Sequence, residues 1–443
     1  MRPKTVVRDL LPKPLFNFYH WFLAKLAAVF YGFPSKQMIV IGITGTLGKS
    51  TTVQFLGQML EGLGQKVGWA STIGFKVGEK EWINDKKMTM LGRFQTQKLL
   101  RQMVAAGCRY AIIEVSSQGV GQFRHVGINF DVAVLTNLSP EHIEAHGGFE
   151  NYKKTKGKFF AFVAKSRLKK INKQKIFKSF VVNIDNEHAP YFLGLIWGRK
   201  GKERIIKFGV ERQTIKILSN GSDFVWRGLS VHINPFGLHN VYNAIAAAEV
   251  LRALNFSSAE VAGALSKIKF VPGRMEIINE RQNFSLIVDF AYEPKSVLAL
   301  YETVKILPHQ KIIHVLGSCG GGRDAARRPL LGKLAAENAD LIIVTNEDPY
   351  DDDPKKIIDE VAAGAIAAGK VEGKNLWRFL DRQEAITKAV FLAGPNDLVL
   401  ITGKGSEPVM AVASGRLIPW DDRVAAREAI KQKNQTRKKQ YDY

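Results

Sequence analysis

The sequence predicts two α/β domains joined near Pro272 and preceded by a short helical segment. From Met38 onward, short apolar runs alternate with helical patterns, and the runs read MIVIGIT, YAIIEVSS, DVAVLTN and FVVNIDN. After VPGR at residues 271–274 a second series follows, with the runs SLIVDFA, KIIHVLGS, DLIIVTNEDP and DLVLITGKG. Such alternation is typical of parallel sheets with helices on both faces. We therefore predict an N-terminal appendage at residues 1–37, a central domain at residues 38–272 and a C-terminal domain at residues 273–443.

The composition fits a globular, basic protein. The chain has 443 residues, enough for two or three domains, and its 46% hydrophobic content excludes a disordered or fibrous chain. Lysine and arginine (64) outnumber aspartate and glutamate (41), so the formal net charge is +23. This charge favours nucleotides, anionic substrates, nucleic acid or acidic lipid as partners without choosing among them.

The basic stretches 165–175 and 431–440 lack the aromatic residues that stack on bases, so no nucleic-acid partner is expected. The two cysteines, Cys108 and Cys319, are too few for a disulfide scaffold and favour a reducing cytoplasm.

The segment at residues 14–33, PLFNFYHWFLAKLAAVFYGF, is apolar over most of a helical surface. Lys25 and His20 lie inside a stretch barely long enough to span a bilayer, and the segment lacks a signal-peptide cleavage site. We interpret it as a helix docked on the body of the protein, with an interfacial membrane helix and a spanning helix as alternatives. The chain is therefore expected in the cytoplasm, and peripheral contact with the inner membrane surface stays open.

The strongest motif is GITGTLGKSTT at residues 42–52, which follows an apolar run and opens a predicted helix. Small residues let backbone N–H groups surround phosphate oxygens, a lysine reaches the terminal phosphates, and a hydroxyl binds Mg²⁺. The usual spacing G-x-x-x-x-G-K-[ST] would require glycine at Ile43, so the match is relaxed. The residues that carry the prediction of a phosphate loop are Gly45, Gly48, Lys49 and Ser50.

Polar side chains stand at the ends of the next two apolar runs. Glu114 lies near the end of YAIIEVSS, where a sheet of this kind holds Mg²⁺. TNLSPEH at residues 136–142 places Asn137 and His142 at the same edge of the sheet. The alternative interpretations are a strand-end carboxylate without metal for Glu114, a turn residue for Asn137 or His142, and a surface histidine for His142.

Nine segments in register resemble the Mur ligases. They are GITGTLGKSTT, EVSSQGVGQFR, TNLSPEHIEAHGGFENYKKTK, GLHNVYNAIAAAE, VPGRMEII, VDFAYEP, LGSCGGGRD, TNEDPYDDDP and GKGSE, and the resemblance in order and spacing extends from about Phe30 to Arg427. The resemblance implies a central ATPase domain and a C-terminal Rossmann-like domain. It also implies a reaction in which ATP phosphorylates a substrate carboxylate to an acyl phosphate, which an amine then attacks to give an amide. The segments are most similar to the branch that adds an amino acid to UDP-N-acetylmuramoyl-dipeptide in peptidoglycan precursor synthesis.

The resemblance also implies the cofactors, which are ATP and two Mg²⁺ ions, and the residues that bind them. It adds Thr46, Thr51, Asn137, Asn240, Asn243, Arg274 and Asp289 to the nucleotide contacts, and it places the last four on the C-terminal side of the nucleotide cleft. The metal ligands would be Ser50, Glu114, His142 and Lys156, and the catalytic residues Lys49, Lys156 and His142. Lys156 matches the lysine that the family converts to a carbamate, although by itself it is one of many lysines and is easily confused with Lys158.

The substrates are implied in the same way. Thr89, Ser116, Gln122 and Arg124 match contacts to a UDP-muramoyl-peptide or related carboxylate, and Arg323, Asp348, Tyr350, Gly403 and Glu407 match the pocket for the incoming amino acid. Tyr350 stands where ligases for diaminopimelate carry arginine, and tyrosine cannot pair bidentately with a carboxylate. Diaminopimelate is therefore disfavoured. The run Asp351–Asp353 favours a cationic side chain such as lysine, with a solvated loop as the alternative.

The N-terminal UDP-binding domain of the family is largely unmatched. Two alternative functions therefore stay open at this stage. One is the same ligation on a lipid-linked, folate or poly-amino-acid acceptor, and the other is a phosphate-loop ATPase that acts as a binding protein. The sequence does not give the oligomeric state.

Overall fold

A computed structural model describes residues 13–140, 146–196, 203–322 and 325–441. The chain divides into two compact units. Unit 1 comprises Met1–Lys216, Asp223–Ile233 and His239–Lys269, and unit 2 comprises Ile217–Ser222, Asn234–Leu238 and Phe270–Tyr443. Both are α/β bodies, as the alternating pattern predicts.

The helices and strands follow the sequence pattern closely. The first part of the chain contains α1 (Lys13–Phe30), β1 (Ile39–Thr44), α2 (Lys49–Gly62), β2 (Val67–Ala70), β3 (Gly74–Val77), β4 (Lys80–Ile83), α3 (Arg93–Ala105), β5 (Tyr110–Glu114), α4 (Ser117–Gly121), β6 (Val132–Leu135), α5 (Phe149–Lys165), β7 (Lys169–Ile171), β8 (Gln174–Ile176), β9 (Lys178–Asn183), α6 (Ala189–Gly194) and β10 (Glu203–Phe208). The middle contains β11 (Lys216–Leu218), β12 (Gly221–Trp226), β13 (Leu229–Ile233), α7 (Leu238–Ala253) and α8 (Ser258–Leu265). The last part contains β14 (Glu276–Ile277), β15 (Ser285–Asp289), α9 (Pro294–Val304), β16 (Ile312–Leu316), α10 (Arg327–Asn338), β17 (Leu341–Thr345), α11 (Pro354–Ala367), β18 (Leu376–Phe379), α12 (Arg382–Leu392), β19 (Leu398–Thr402), β20 (Val409–Val412), β21 (Arg416–Pro419) and α13 (Asp422–Tyr441).

Unit 1 is built on an eight-stranded sheet with the order β10-β9-β6-β1-β5-β2-β3-β4. The strands from β10 to β2 are parallel, and β3 and β4 extend one edge in antiparallel fashion. Every residue of β1 is buried because β5 and β6 flank it and helices cover both faces. The carboxyl ends of β1, β5 and β6 therefore meet at one edge, where ligands bind in sheets of this kind.

Two buried lysines hold the opposite end of this sheet around Asp131. The Lys169 ammonium lies 2.6 Å from one Asp131 oxygen, and that of Lys178 lies 3.4 Å from the other. Lys169 also donates to the carbonyls of Ser35 and Met38, while Asp131 accepts the Val40 N–H of β1 at 2.8 Å. Burial lowers the pKa of Lys169 to about 8, against the raising effect of Asp131. The cluster fixes where β1 begins.

Unit 2 contains a six-stranded sheet with the order β14-β15-β19-β16-β17-β18. β14 is antiparallel at one edge and the other strands are parallel. The two faces of this sheet carry separate apolar cores, one below α9, α10 and α11 and the other below α12 and α13. The loops after β15, β16, β17 and β19 leave the same edge of the sheet, which brings the motifs VDFAYEP, LGSCGGGRD, TNEDPY and GKGSE together.

The docked interpretation of residues 14–33 is confirmed, since α1 packs on unit 1 beside α3. Its contact face consists mostly of small residues, and Ala24, Ala27 and Ala28 are buried. Within the described ranges, no helix combines the length and the hydropathy that crossing a membrane requires.

Candidate active site

The loop between β1 and α2 is shaped by two glycines. Gly45 has φ +155°, and a Cβ there would lie 1.9 Å from Thr136 Oγ1. Gly48 has φ +77°, in the left-handed region, and a Cβ there would lie 2.1 Å from Asn243 Oδ1. Because no side chain caps α2, the N–H groups of its first turn are available to an anion. The loop therefore has the backbone form that a phosphate site needs.

Residues at the end of β6 hold this loop in place. The Asn137 side chain accepts the Leu47 N–H at 2.9 Å and donates to the Leu47 carbonyl at 3.1 Å. Its backbone carbonyl accepts the Thr46 N–H at 3.0 Å, and Thr136 Oγ1 donates to the Leu47 carbonyl at 2.7 Å. Lys49 folds back over the loop, with its ammonium 2.7 Å from the Thr46 carbonyl. Asn137 is thus a loop-fixing residue here, whatever contact it makes with a nucleotide.

Ser50, Glu114 and Thr72 form the group of oxygen atoms next to the loop. Ser50 Oγ donates to Glu114 Oε2 at 2.8 Å, and the same oxygen accepts the Thr72 N–H at 2.7 Å. Thr72 Oγ1 donates to Glu114 Oε1 at 3.1 Å. Glu114 is almost fully buried at the end of β5. A hydroxyl and a carboxylate beside a phosphate loop are ligands that Mg²⁺ prefers, so the predicted donors fit a magnesium ion.

Lys156 lies beneath the phosphate loop. Its side chain is only 2% exposed, and its amine donates to the Gly45 carbonyl at 2.6 Å. The amine also lies 4.7 Å from the centre of the Tyr152 ring, while the Tyr152 hydroxyl lies 3.1 Å from Thr46 Oγ1. Lys158, two residues later on α5, is exposed. Burial therefore separates the two lysines that the sequence leaves easy to confuse.

His146 is a further titratable side chain in this region. Its Nε2 lies 3.1 Å from Ser117 Oγ, and its ring packs against Tyr152. Burial, and then the nearby Lys156 amine, lower the pKa of His146. The predicted metal ligand His142 lies outside the described residues. Among the described residues, no group of three or more His, Cys, Asp and Glu side chains is arranged to hold a metal ion.

The predicted position of Asn240 and Asn243 on the C-terminal side of the cleft is wrong. Both lie on the part of α7 that belongs to unit 1, and both are buried. Asn243 Oδ1 faces Gly48 and lies 3.3 Å from Thr52 Oγ1, which donates to the Gly48 carbonyl at 2.8 Å. The sequence places these residues late in the chain, but α7 returns to the start of α2.

Of the four predicted acceptor residues, Thr89 lies in the loop before α3, and the other three lie on either side of α4. Thr89 Oγ1 lies 3.0 Å from Thr72 Oγ1 and can donate to it, since Thr72 gives its own proton to Glu114, and this links Thr89 to the Glu114 group. Arg124 donates through Nε to Gln122 Oε1 at 3.0 Å and through Nη1 to the Met90 carbonyl. Ser116 Oγ caps α4 by accepting the Gly119 N–H at 3.1 Å. The structure thus joins Thr89 to the group around Glu114 and Gln122 to Arg124.

In unit 2, Arg274 and Asp289 lie together. Asp289 accepts the N–H groups of Met275 and Ala291, each at 2.7 Å. The Arg274 guanidinium stacks 4.1 Å from the centre of the Phe290 ring. Both side chains are thus held in place near the end of β15.

A fully buried lysine organises the predicted amino-acid pocket. The Lys404 ammonium lies 2.9 Å from Asp348 Oδ1 and 2.6 Å from Glu407 Oε2, and it donates to the Val409 carbonyl at 2.8 Å. Asp348 also accepts the Ala411 N–H at 2.8 Å. The two predicted carboxylates are therefore held together by one cation.

The other predicted pocket residues surround this pair. Gly403 has φ +107°, and a Cβ there would lie 2.5 Å from Glu347 Oε2. Glu347 is buried, and the desolvation raises its pKa. Tyr350 has φ +54° and its ring covers Gly321. The predicted Arg323 lies outside the described residues.

The acidic run Asp351–Asp353 has structural roles. Asp353 caps α11 by accepting the Lys355 N–H at 2.9 Å, and Asp351 accepts the Ser414 N–H at 2.7 Å. Asp352 lies 3.4 Å from the Arg328 guanidinium. These contacts favour the loop interpretation over recognition of a cationic substrate.

Sequence reasoning misses several residues that the fold brings to these sites. Thr136 directly precedes Asn137 at a strand end, and Lys404 lies within GKGSE, so both carry a local signal. Thr72 carries none, because only the parallel pairing of β2 with β5 brings it to Glu114. Such contacts are visible only once the strand order is known.

The comparisons with known proteins agree with this fold. Residues 43–251 match the Mur ligase middle domain, and residues 273–405 match the Mur ligase glutamate ligase domain. The chain therefore belongs to the Mur ligase family, and it is an ATP-dependent ligase. It is 37% identical over 421 residues to a UDP-N-acetylmuramyl-tripeptide synthetase of Roseiflexus sp. (strain RS-1), covering 92% of this chain and 81% of the relative.

A second relative and two solved structures extend the comparison. The UDP-N-acetylmuramoyl-L-alanyl-D-glutamate–2,6-diaminopimelate ligase of Geobacillus thermodenitrificans (strain NG80-2) is 34% identical over 423 residues, covering 93% of this chain and 82% of the relative. A solved structure of a ligase with the same name aligns with a TM-score of 0.59 at 26% identity, covering 90% of this chain and 79% of that one. A folylpolyglutamate synthase of Mycobacterium tuberculosis aligns with a TM-score of 0.66 at 18% identity, covering 86% and 92%, and at that identity shows the shared fold alone.

Proposed function

We propose that this ligase joins an amino acid to the carboxylate of a UDP-N-acetylmuramoyl-dipeptide during peptidoglycan precursor synthesis. The observation that carries the proposal is the continuous group in unit 1 that runs from the phosphate loop through Ser50, Glu114 and Thr72 to Thr89. This group links the predicted nucleotide residues to the predicted acceptor residues. The names of the two relatives support the choice of acceptor.

The reaction needs positioning and charge stabilisation more than covalent help from the protein. A carboxylate oxygen of the acceptor attacks the terminal phosphorus of ATP, and ADP leaves. The amine of the incoming amino acid then attacks the acyl carbon, loses a proton, and phosphate leaves with the C–O bond electrons. The N–H groups at the start of α2 and the Lys49 ammonium would hold the phosphates. Asn137 keeps the loop in the conformation that this requires.

Two Mg²⁺ ions complete the proposed site. Ser50 and Glu114 would hold one of them, with His142 as a third ligand, and a carbamate on Lys156 would supply oxygen ligands for the second. When bound, Mg²⁺ neutralises the charge on the phosphate oxygens. Forming the carbamate requires the Lys156 amine to lose a proton and attack the carbon of CO₂, which releases a second proton.

The carbamate can be tested by ¹³C NMR after addition of labelled bicarbonate. The wild type is expected to show one carbamate signal that Lys156→Met removes and that Lys158→Met, a change of an exposed lysine on the same helix, preserves. Lys156→Arg keeps a cation and a donor for the Gly45 carbonyl but forms no carbamate, so it is expected to lose ligation. Full ligation by Lys156→Arg would overturn the carbamate role.

For the incoming amino acid we propose one without a second carboxylate, because Tyr350 offers no guanidinium. Lys404 already neutralises part of the charge on Asp348 and Glu407, so the two carboxylates add less negative charge to the pocket than their number suggests. The expected preference is L-lysine over diaminopimelate. Tyr350→Arg is expected to shift the ratio of kcat/KM values toward diaminopimelate, and an unchanged ratio would remove Tyr350 from the pocket.

The deciding experiment is phosphate release from ATP and Mg²⁺ with UDP-muramoyl-dipeptide and each candidate amino acid. Release that requires both substrates would establish the proposed reaction and identify the amino acid. Intact ATP binding without release in any combination would overturn the proposed acceptor and favour a lipid-linked, folate or poly-amino-acid one. We further propose that the enzyme works in the cytoplasm, at the inner surface of the membrane.

A further inference from the structure

The helix α1 presents a continuous apolar face to solvent. Eight large side chains at residues 15–30 are between 41% and 72% exposed, among them Phe18, Trp21, Phe22 and Phe30. Seven of the eight, at positions 15, 18, 19, 22, 26, 29 and 30, recur with the three- and four-residue spacing that places side chains on one side of a helix. A contiguous apolar face of this kind on a folded protein marks an interaction surface.

The opposite face of α1 explains why this arrangement is stable. Ala24 and Ala28 pack so closely on unit 1 that a Cβ at Gly127 would lie 2.9 Å from the Ala24 carbonyl oxygen and from Ala28 Cβ. The small residues are thus used for docking, and the large aromatic residues point outward. A helix that served only to cover the core would bury the large side chains and expose the alanines.

The charged side chains of α1, of α3 and of the short turn after α1 all have one sign. Neither α1 nor the neighbouring helix α3 contains an aspartate or glutamate. Lys25, Lys36, Lys98 and Arg101 are exposed on α1, on α3 and on the short turn between α1 and β1. Lys25 lies 5.9 Å from the centre of the Trp21 ring, so a cation accompanies the aromatic surface. An apolar, aromatic face with a basic surround complements an anionic bilayer surface.

We propose that α1 binds the surface of an anionic membrane by inserting the face formed by Phe18, Phe22 and their neighbours between the lipid headgroups. The inference rests on the proposed location at the inner membrane surface and does not depend on which acceptor the enzyme uses. It commits to one occupant, the bilayer, since the basic surround of the face would repel a second copy of the same face.

The position of α1 gives this binding a consequence for the reaction. On its docked side, burial, and then the charges of Arg93 and Arg124, lower the pKa of His20 to about 4. Arg124 is one of the predicted acceptor contacts, so α1 borders the acceptor side of unit 1. Membrane binding would therefore bring the acceptor side of unit 1 close to the bilayer.

The test is cosedimentation of the full chain with vesicles of phosphatidylcholine alone and of phosphatidylcholine with phosphatidylglycerol. The wild type is expected to bind the anionic vesicles and to lose binding as salt is raised. The double variant Phe18→Ser/Phe22→Ser is expected to bind at least about tenfold more weakly. The control Val371→Ser/Leu380→Ser changes two side chains of unit 2 that are 53% and 60% exposed, and it is expected to bind like the wild type.

Three results would overturn the proposal. The first is that the wild type binds neither kind of vesicle. The second is that the Phe18→Ser/Phe22→Ser variant binds anionic vesicles as tightly as the wild type does. The third is that light scattering shows a dimer of the wild type, which does not bind vesicles, and a monomer of this variant. Unfolding midpoints that match the wild type would show that the variants fold. Phosphate release with soluble substrates is expected to be the same for the wild type and both variants. The phosphate assay therefore tests the ligase assignment, and cosedimentation tests membrane binding independently of it.

Discussion

Replacing Gly48 with alanine should disturb the phosphate loop by an amount that the structure allows us to work out. Residue 48 has φ +77°, and an alanine in the left-handed region costs about 1–2 kcal/mol. The added Cβ would lie 2.1 Å from Asn243 Oδ1, so this side chain must leave its rotamer, which costs about 1 kcal/mol. The expected total of about 2–3 kcal/mol corresponds to a change of about 30- to 150-fold in an equilibrium constant.

Two measurements together capture this cost. It appears as lost stability if the loop keeps its conformation without nucleotide, and as lost ATP affinity if the loop relaxes until nucleotide binds. Urea unfolding and calorimetric titration with ATP and Mg²⁺ should therefore give losses that sum to the expected value. Gly62→Ala is the matched control, since it lies on the same helix with nothing within 4 Å of an added Cβ. If Gly48→Ala changes neither quantity by more than about 0.5 kcal/mol, the strain argument is refuted.

Three further predictions concern the proposed metal site, a buried ion cluster and pH. Glu114→Gln removes the charge beside Ser50 and should raise the Mg²⁺ concentration for half-maximal phosphate release at least about tenfold, whereas an unchanged requirement would leave Glu114 a purely structural role. Lys169→Met leaves Asp131 with one cation and should lower the free energy of unfolding in urea by about 3–5 kcal/mol, with the exposed Lys170→Met as a control near zero. Burial lowers the pKa of His125 from 6.5 to about 4, so the unfolded chain binds more protons in that range and stability should fall by up to about 3 kcal/mol on acidification. A wild-type pH profile that His125→Phe leaves unchanged between pH 6.5 and 4 would contradict the assignment.

Local sequence signals were sufficient for the phosphate loop and for the fold class. Gly45, Gly48, Lys49 and Ser50 are consecutive or nearly so, and an apolar strand before them and a helix after them fix their arrangement within a few ångströms. Glu114 could be predicted for a similar reason, since the end of a buried parallel strand faces the ligand edge of the sheet. In these cases the position of the functional side chain follows from its neighbours in the chain, or from the rule that ligands bind at the carboxyl edge of a parallel sheet.

Contacts between distant parts of the chain could not be obtained in this way. Lys156 and Lys158 are equivalent by composition, and only the packing of α5 shows that the first is buried under Gly45 and the second is exposed. The return of α7 to the phosphate loop brings Asn243 to Gly48, although 195 positions separate them along the chain (243 − 48 = 195). The pairing of Lys404 with Asp348 likewise depends on two loops that meet only because their strands share a sheet.

The sequence by itself therefore determined the α/β class, the phosphate loop, the family and the residue types available for catalysis. The tertiary structure decided which lysine is buried, which carboxylates are already paired, and which side of α1 faces solvent. The physical reason is that periodicity and motif spacing record forces between near neighbours, whereas burial and ion pairing depend on the environment that the whole fold creates. For α1 the sequence showed an apolar helix, and only docking through its alanines left the aromatic face exposed.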